Sequence, residues 1–546
     1  MRHFAIGSAA ALVALTCGVA AQAPKASPPV PATGSVLKGH GFSRAVHRQG
    51  QSGLQPLRDG GPLVIPVVFT AAPVYNSRAA LHGAERFPQG AHLMLLRNGR
   101  ITPLAPQLAA SADSSVSFDG QTILFAGRKT PSDPWQIFRI PANGGDPQLL
   151  FSAPTDLIRP FWMPGNRIVY ARRQPAGFVL ETAALDGSSR LRLSYVPGNF
   201  IPDDVLRDGR VLFESGFPLG AATGGSLVLK GHGFSRAANA DEFMGASAPE
   251  AGFSSSGGPH RRRAGTTPEL YTVYSDGSGE EAVRCDHAAA RQAGGRADAR
   301  QLPTGDIVFA QAGRLARFTS ALAHQSPIAA PPGDYAGDVA ALPDGRWLLS
   351  VRRPDRPHYE IAAWTPPAAP RFPGDPEARP AAPTLTTIAR DPRLNFVQPV
   401  LVAPRPIPNR HPSGLHPWTT GNLLALDARL SRSGELAISP TQVRVETLAP
   451  TGSTIVLGTA PVAPDGSFFV QAAADRPLRF VLLDVHGRVV RQERGWFWIR
   501  AGEQRVCVGC HAGPERAPDN RVPQILLLST TPANATGNPN LAPGAF

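Results

Sequence analysis

Toward the C-terminal end of the chain, Cys507-Val508-Gly509-Cys510-His511 spells C-x-x-C-H. Two thiols at this spacing can form thioethers to the two vinyl groups of one porphyrin, and the adjacent histidine is then placed as an axial ligand of its iron. The motif predicts a single covalent c-type haem on Cys507, Cys510 and His511, with His511 the proximal iron ligand. A zinc site would need further Cys or His partners, and beyond the N-terminal segment the remaining cysteine is Cys285. A thioredoxin-like dithiol would want a βαβ setting that the pattern does not show.

The sixth iron ligand decides what such a haem does. A second strong ligand favours electron transfer, whereas an open position admits a small molecule. Cys285 and His287 are candidates for a distal or second-metal site, because one residue apart on an extended chain they share a face. The plain alternative is a partly buried thiol and a solvated imidazole. His411 and His416 are further candidates, in a Pro/Gly-rich stretch between two domains, where pockets often form. Trp496 and Trp498 would alternate with Phe497 along a strand, one face packing either on a porphyrin or in an ordinary sandwich core. No G-x-S-x-G elbow, phosphate-binding glycine loop or H-E-x-x-H helix is present.

Arg2 and His3 precede an apolar run from Phe4 to Thr16, followed by small residues. Residues 1–23 therefore read as a signal peptide, and the expected location is periplasmic or secreted, the compartment in which c-type haem is attached. No later stretch has the ~18 consecutive apolar residues of a membrane span. Residues 24–61 are rich in Pro, Gly, Ala and Ser without periodicity and predict a disordered leader. The net charge of +13 rests almost wholly on Arg, since Lys occurs only at 25, 38, 129 and 230. The arginines are scattered and form no stripe, so nucleic acid is not an expected partner.

From 62 to 366 a tight Gly turn recurs before a β-branched or aromatic strand, at Gly120, Gly165, Gly209, Gly305 and Gly345. These glycines step by 45, 44, 96 and 40 residues, and Asn143-Gly144, Asp186-Gly187 and Asp276-Gly277 add a second turn within the period. Two hairpins per 40 to 50 residues predict four-stranded blades of a β-propeller, five to seven in number. The step of 96 implies an inserted loop at about 221–266. Lys38 to Ala45 and Lys230 to Ala237 are identical octapeptides, one in the leader and one in this insertion. Both are expected outside the packed core.

A Pro-rich connector over 367–420 leads into short strands with Asp/Gly turns over 421–500, which predict a β-sandwich-like middle domain. Residues 501–546 form the haem-binding segment and tail. The predicted fold class is all-β.

The runs Glu269 to Thr272, Asp276 to Gly279, Arg284 to His287, Gly305 to Phe309, Pro464 to Val470 and Gly502 to His511 resemble exported proteins related to the hydrazine synthase alpha subunit. That resemblance implies a propeller, a β-rich middle domain and a c-type haem region. One C-x-x-C-H falls short of the several haems of the hydrazine-forming assembly, so the fold and haem residues are carried over and the reaction is not. The expected function is a periplasmic monohaem protein, a haem-dependent oxidoreductase or electron carrier acting with a redox partner protein or a small nitrogen or oxygen ligand. The alternative is a propeller scaffold of a secreted complex with a structural haem.

Overall fold

The computed structural model describes residues 64–216, 228–229, 234–236, 268–283, 295–319, 325–367, 385–430, 436, 438–493, 495–507 and 521–541. The expected signal peptide and leader, Cys285, His287, Cys510, His511 and the first octapeptide copy lie outside them.

The described residues are almost wholly β, as the Gly turns and β-branched strands predict, with one short α-helix at Gln524–Leu528. Among the described residues six blades make the propeller, five of four strands and one whose first strand is broken in two. The second is Ala110–Val116, Thr122–Arg128, Gln136–Pro141 and Gln148–Phe151; the third is Leu157–Met163, Arg167–Gln174, Gly177–Ala184 and Leu191–Arg192. The fourth is Asn199–Val205, Val211–Gly216, Glu269–Val273 and Glu281–Ala282, so residues 217–268 are inserted between its second and third strands. The fifth runs from Arg296–Gln301 through Ile307–Gln311 and Arg314–Phe318 to Gln325–Pro327. The sixth begins with a broken strand, Asp334–Tyr335 and Ala340–Ala341, followed by Trp347–Arg352, Glu360–Trp364 and Thr386–Ala389.

The first blade is closed from both ends of the propeller. Val67–Ala72, His92–Arg97 and Arg100–Pro103 take their innermost strand, Asn395–Leu401, from the far end of the domain. The blades thus continue past residue 366, where the sequence placed the start of the connector. The Pro-rich stretch hides this, since its strands Thr386–Ala389 and Asn395–Leu401 carry no Gly turn between them. Blade count falls within the expected range, and the two Gly turns per period join strands one to two and three to four of a blade.

The inner strands share a device. Register shifts interrupt Ala110–Val116, Leu157–Met163, Asn199–Val205, Arg296–Gln301 and Asn395–Leu401 at equivalent places. At the irregularities sit Asp113, Arg159, Asp203, Asp298 and Gln398, with Asp338 in the break of the sixth blade. Asp113, Arg159, Asp298, Asp338 and Gln398 have φ of 51° to 60°, left-handed values that turn each side chain out of the ladder. One polar residue per blade therefore faces the axis.

Two sheets form the sandwich. One runs in the order Phe234–Arg236, Val489–Glu493, Arg479–Leu483, Gln442–Leu448, Thr454–Pro461. The other runs Gln504–Cys507, Thr420–Ala425, Phe468–Ala473, Ala533–Ala535, with both outer strands parallel to their neighbours. Phe468, Phe480, Phe497 and Ile499 fill the space between them. Phe234–Arg236 belongs to the second octapeptide copy, so part of the insertion extends a sandwich edge. Among the described residues no helix is long and apolar enough to cross a membrane.

The sandwich is fastened to the propeller. Trp496 and Trp498 pack with Phe161, Phe200 and Phe213 of the third and fourth blades, while Phe497 and Ile499 face the sandwich core. The alternation expected on this strand is real, but its tryptophan face meets blades three and four. Trp498 is fully buried and its Nε1 donates to the Gly277 carbonyl at 2.9 Å.

Candidate functional site

Strand Gln504–Cys507 is the outermost of its sheet, paired on one side to Thr420–Ala425 from Asn422↔Gln504 to Ala425↔Cys507. Its pleat turns Glu503, Arg505 and Cys507 to the interior face and Gln504 and Val506 to solvent. Cys507 is half-buried at the margin of the sandwich core, and its carbonyl accepts from the Leu426 amide at 2.9 Å.

Below Cys507 on that face lies a polar cluster shared with the fourth blade. Glu503 Oε1 accepts from the Gly279 amide at 3.2 Å and from Arg505 Nε at 2.8 Å; Oε2 accepts from the Arg500 amide at 2.7 Å. Arg500 Nε donates to the Asp276 carbonyl at 2.9 Å, and its Nη1 pairs with Asp475 at 2.6 Å. Beside these stands Glu280, 1% exposed, with no hydrogen-bond partner for either carboxylate oxygen. Burial pushes its pKa up to about 8; Arg505 opposes this, and Glu281, Glu503 and Glu493 reinforce it. Glu280 thus keeps its proton at neutral pH, and Arg505, two residues before Cys507, interacts with both of them.

The two candidate histidines sit on the connector as it crosses the propeller turns. The Asn409 amide donates to the Arg207 carbonyl at 2.7 Å, the Arg405 amide to the Phe118 carbonyl at 2.9 Å, and Ser413 Oγ to Asp276 at 2.6 Å. His411 stacks on Tyr274, ring centroids 3.9 Å apart, with its Nδ1 buried and without a hydrogen-bond partner. His416 stacks on Trp418 at 4.7 Å, and its backbone presses on Gly502. Gly502 precedes the strand that Cys507 ends, so the register puts His416 and Cys507 at opposite ends of it, about 10 Å of extended chain apart at the least. The strand therefore separates His416 from the thiol.

Of the three residues expected to hold a covalent haem, Cys507 alone is among the described residues, and its setting is compatible with attachment. Cys507 stands at the rim of the core without being sealed in it, and Val506, Val522, Leu527 and Leu528, the apolar residues flanking 508–520, are 59%, 61%, 72% and 74% exposed. Apolar surface of this kind is what a porphyrin face covers.

Sequence reasoning pointed to Cys507 and missed Glu280. A signal for it existed in the Glu503-x-Arg505-x-Cys507 alternation, which marks a charged pair on the inward face and so demands buried partners.

Residues 428–512 match the family described as hydrazine synthase alpha subunit middle domain. In fold, the chain is similar to hydrazine synthase of Kuenenia stuttgartiensis, with a TM-score of 0.64 at 16% identity, over 87% of this chain and 75% of that one. It also matches TolB from Acinetobacter baumannii, with a TM-score of 0.36 at 9% identity, over 63% of this chain and 67% of the other. No curated protein matches it in sequence. Residues 428–512 thus resemble the hydrazine synthase alpha subunit middle domain, and the fold of the chain as a whole resembles that of the Kuenenia enzyme.

Proposed function

We propose that this hydrazine synthase alpha-like chain is an exported monohaem c-type protein that either passes single electrons or binds a small nitrogen or oxygen species. The observation that carries the reading is Cys507, the first residue of C-x-x-C-H, presented half-buried at the end of an edge strand beside exposed apolar surface. Cys507 and Cys510 would hold the group by thioethers and His511 by its imidazole; the group supplies a one-electron redox centre with an iron that can take a further ligand.

The protein's own residues set the surroundings. Glu503 ties the Cys507 strand to the Gly279 amide of the fourth blade, so the attachment segment rests on a rigid platform. Glu280 holds a proton on its carboxyl near neutral pH, in a position shielded from water. A buried acid that gains or loses a proton close to pH 8 is suited to compensating a change of charge nearby.

Absorption spectra of protein matured with a c-type haem system, oxidised, reduced and reduced under carbon monoxide, test the proposal. A covalent haem whose spectrum shifts with carbon monoxide assigns small-molecule chemistry, and one indifferent to it assigns electron transfer. Absence of a covalent haem defeats both and leaves the scaffold reading.

A further inference from the structure

At the propeller axis, five buried carboxyl groups, Asp113, Asp203, Glu214, Asp298 and Asp338, face three guanidiniums, Arg86, Arg159 and Arg300. Arg159 donates to Asp203 Oδ1 at 2.7 Å and to Asp338 at 3.0 Å, Arg86 to Asp113 at 2.8 Å, and Arg300 to Asp338 at 2.7 Å. Glu214 accepts from the Asp298 amide at 3.1 Å, and Asp298 lies 3.9 Å from Arg159. Five carboxyl groups against three guanidiniums leave two acids in excess in a place closed to solvent, an excess that is relieved by protons or by a bound cation.

Asp203, Glu214 and Asp298 bring one oxygen each within 4.8 Å of the others. Two further observations point to a ligand there. Asp203 is 0% exposed and its Oδ2 has no hydrogen-bond partner, and the buried Tyr75 hydroxyl, on which Asp298 is the foremost charge, has none either. The geometry points to a divalent cation site, calcium by preference, formed by Asp203, Glu214 and Asp298. All the donors are hard oxygens, which excludes the softer metals that seek sulfur or imidazole. Calcium, which binds oxygens at about 2.3–2.6 Å in flexible geometry, accepts three carboxylate oxygens lying within 4.8 Å of one another, whereas magnesium demands near-octahedral geometry and keeps several waters, which a site closed to solvent disfavours. Asp203 and Glu214 belong to the fourth blade and Asp298 to the fifth, so the ion would clasp the blade that carries the insertion to the next one. This inference does not depend on the haem.

The full chain, stripped with EDTA, is titrated with calcium chloride and with magnesium chloride by calorimetry and melted in each. One saturable calcium per chain, a Tm several degrees above that in EDTA, weaker magnesium binding, and at least a tenfold loss of calcium affinity in folded Glu214→Gln and Asp298→Asn are expected. Should those variants fail to fold, terbium emission excited through tyrosine carries the assignment: strong in the wild type and much reduced in Tyr75→Phe. Equal Tm in calcium and EDTA without saturable uptake, uptake indifferent to both carboxylate substitutions, or emission unchanged in Tyr75→Phe would overturn the site.

Discussion

The indole Nε1 of Trp498 donates to the carbonyl of Gly277, 2.9 Å away and 221 residues earlier, and this bond stitches the sandwich to the fourth blade. Trp498 is 0% exposed, so removing the donor strands a buried carbonyl and removing the ring opens a cavity. Trp498→Phe is expected to cost about 1–3 kcal/mol and Trp498→Ala about 3–5 kcal/mol in denaturant unfolding. The second should also expose the connector to limited proteolysis.

The Gly turns are not equivalent. Gly120, at φ +76°, would put a Cβ 2.8 Å from the backbone of Ala403 and Pro404, and Gly209, at φ +88°, would drive one into the Asn409 carbonyl. Gly165 and Gly345 have similar φ with nothing within 4 Å. Alanine at 165 or 345 should cost on the order of 1 kcal/mol for the left-handed backbone alone. Alanine at 120 or 209 should cost clearly more, because the connector must also move. Thermal melts of the four variants decide this, and equal losses would show that the connector does not bear on the turns.

Glu280 gives a pH signature. Its pKa is raised on folding from the usual carboxylate range to about 8, so between those values the folded chain holds a proton that the unfolded chain releases. Its contribution therefore favours folding at low pH and is lost as pH rises through about 8. Glu280→Gln, which keeps the neutral shape, is expected to raise the Tm at pH 8 to 9 relative to wild type and to leave it little changed near pH 5.

Arg159 is 1% exposed and satisfies Asp203 and Asp338 across the axis. Burial alone would raise Asp338, but Arg159 and Arg300 outweigh it and hold its pKa down at about 2. Arg159→Met leaves these carboxylates without their cation, and a loss of about 3–5 kcal/mol in chemical denaturation is expected. An unchanged midpoint would mean that the axial charges are compensated some other way.

How far the residues announced this arrangement depends on the range of the interaction. Blades were legible because Gly turns and β-branched strands are local, as in Asp208-Gly209 before Val211–Gly216. The closure of the first blade by Asn395–Leu401 was not, since nothing within that strand marks a partner more than 320 residues away. The axial ring was hidden likewise: Asp113, Arg159 and Asp338 read as ordinary polar residues until the bulges turn them to a common axis. At the candidate site, Cys507 followed from spacing alone, whereas Glu280 became meaningful only when its blade met the Glu503-Arg505 face.

The central claim is covalent haem on Cys507 and Cys510. It is tested most directly by the intact mass and visible spectrum of denatured, solvent-extracted protein, matured with a c-type system, beside Cys507→Ala/Cys510→Ala. The account predicts one haem retained per wild-type chain and none on the double variant. Wild-type protein that loses all its colour to the solvent, or a double variant that keeps it, would contradict the account.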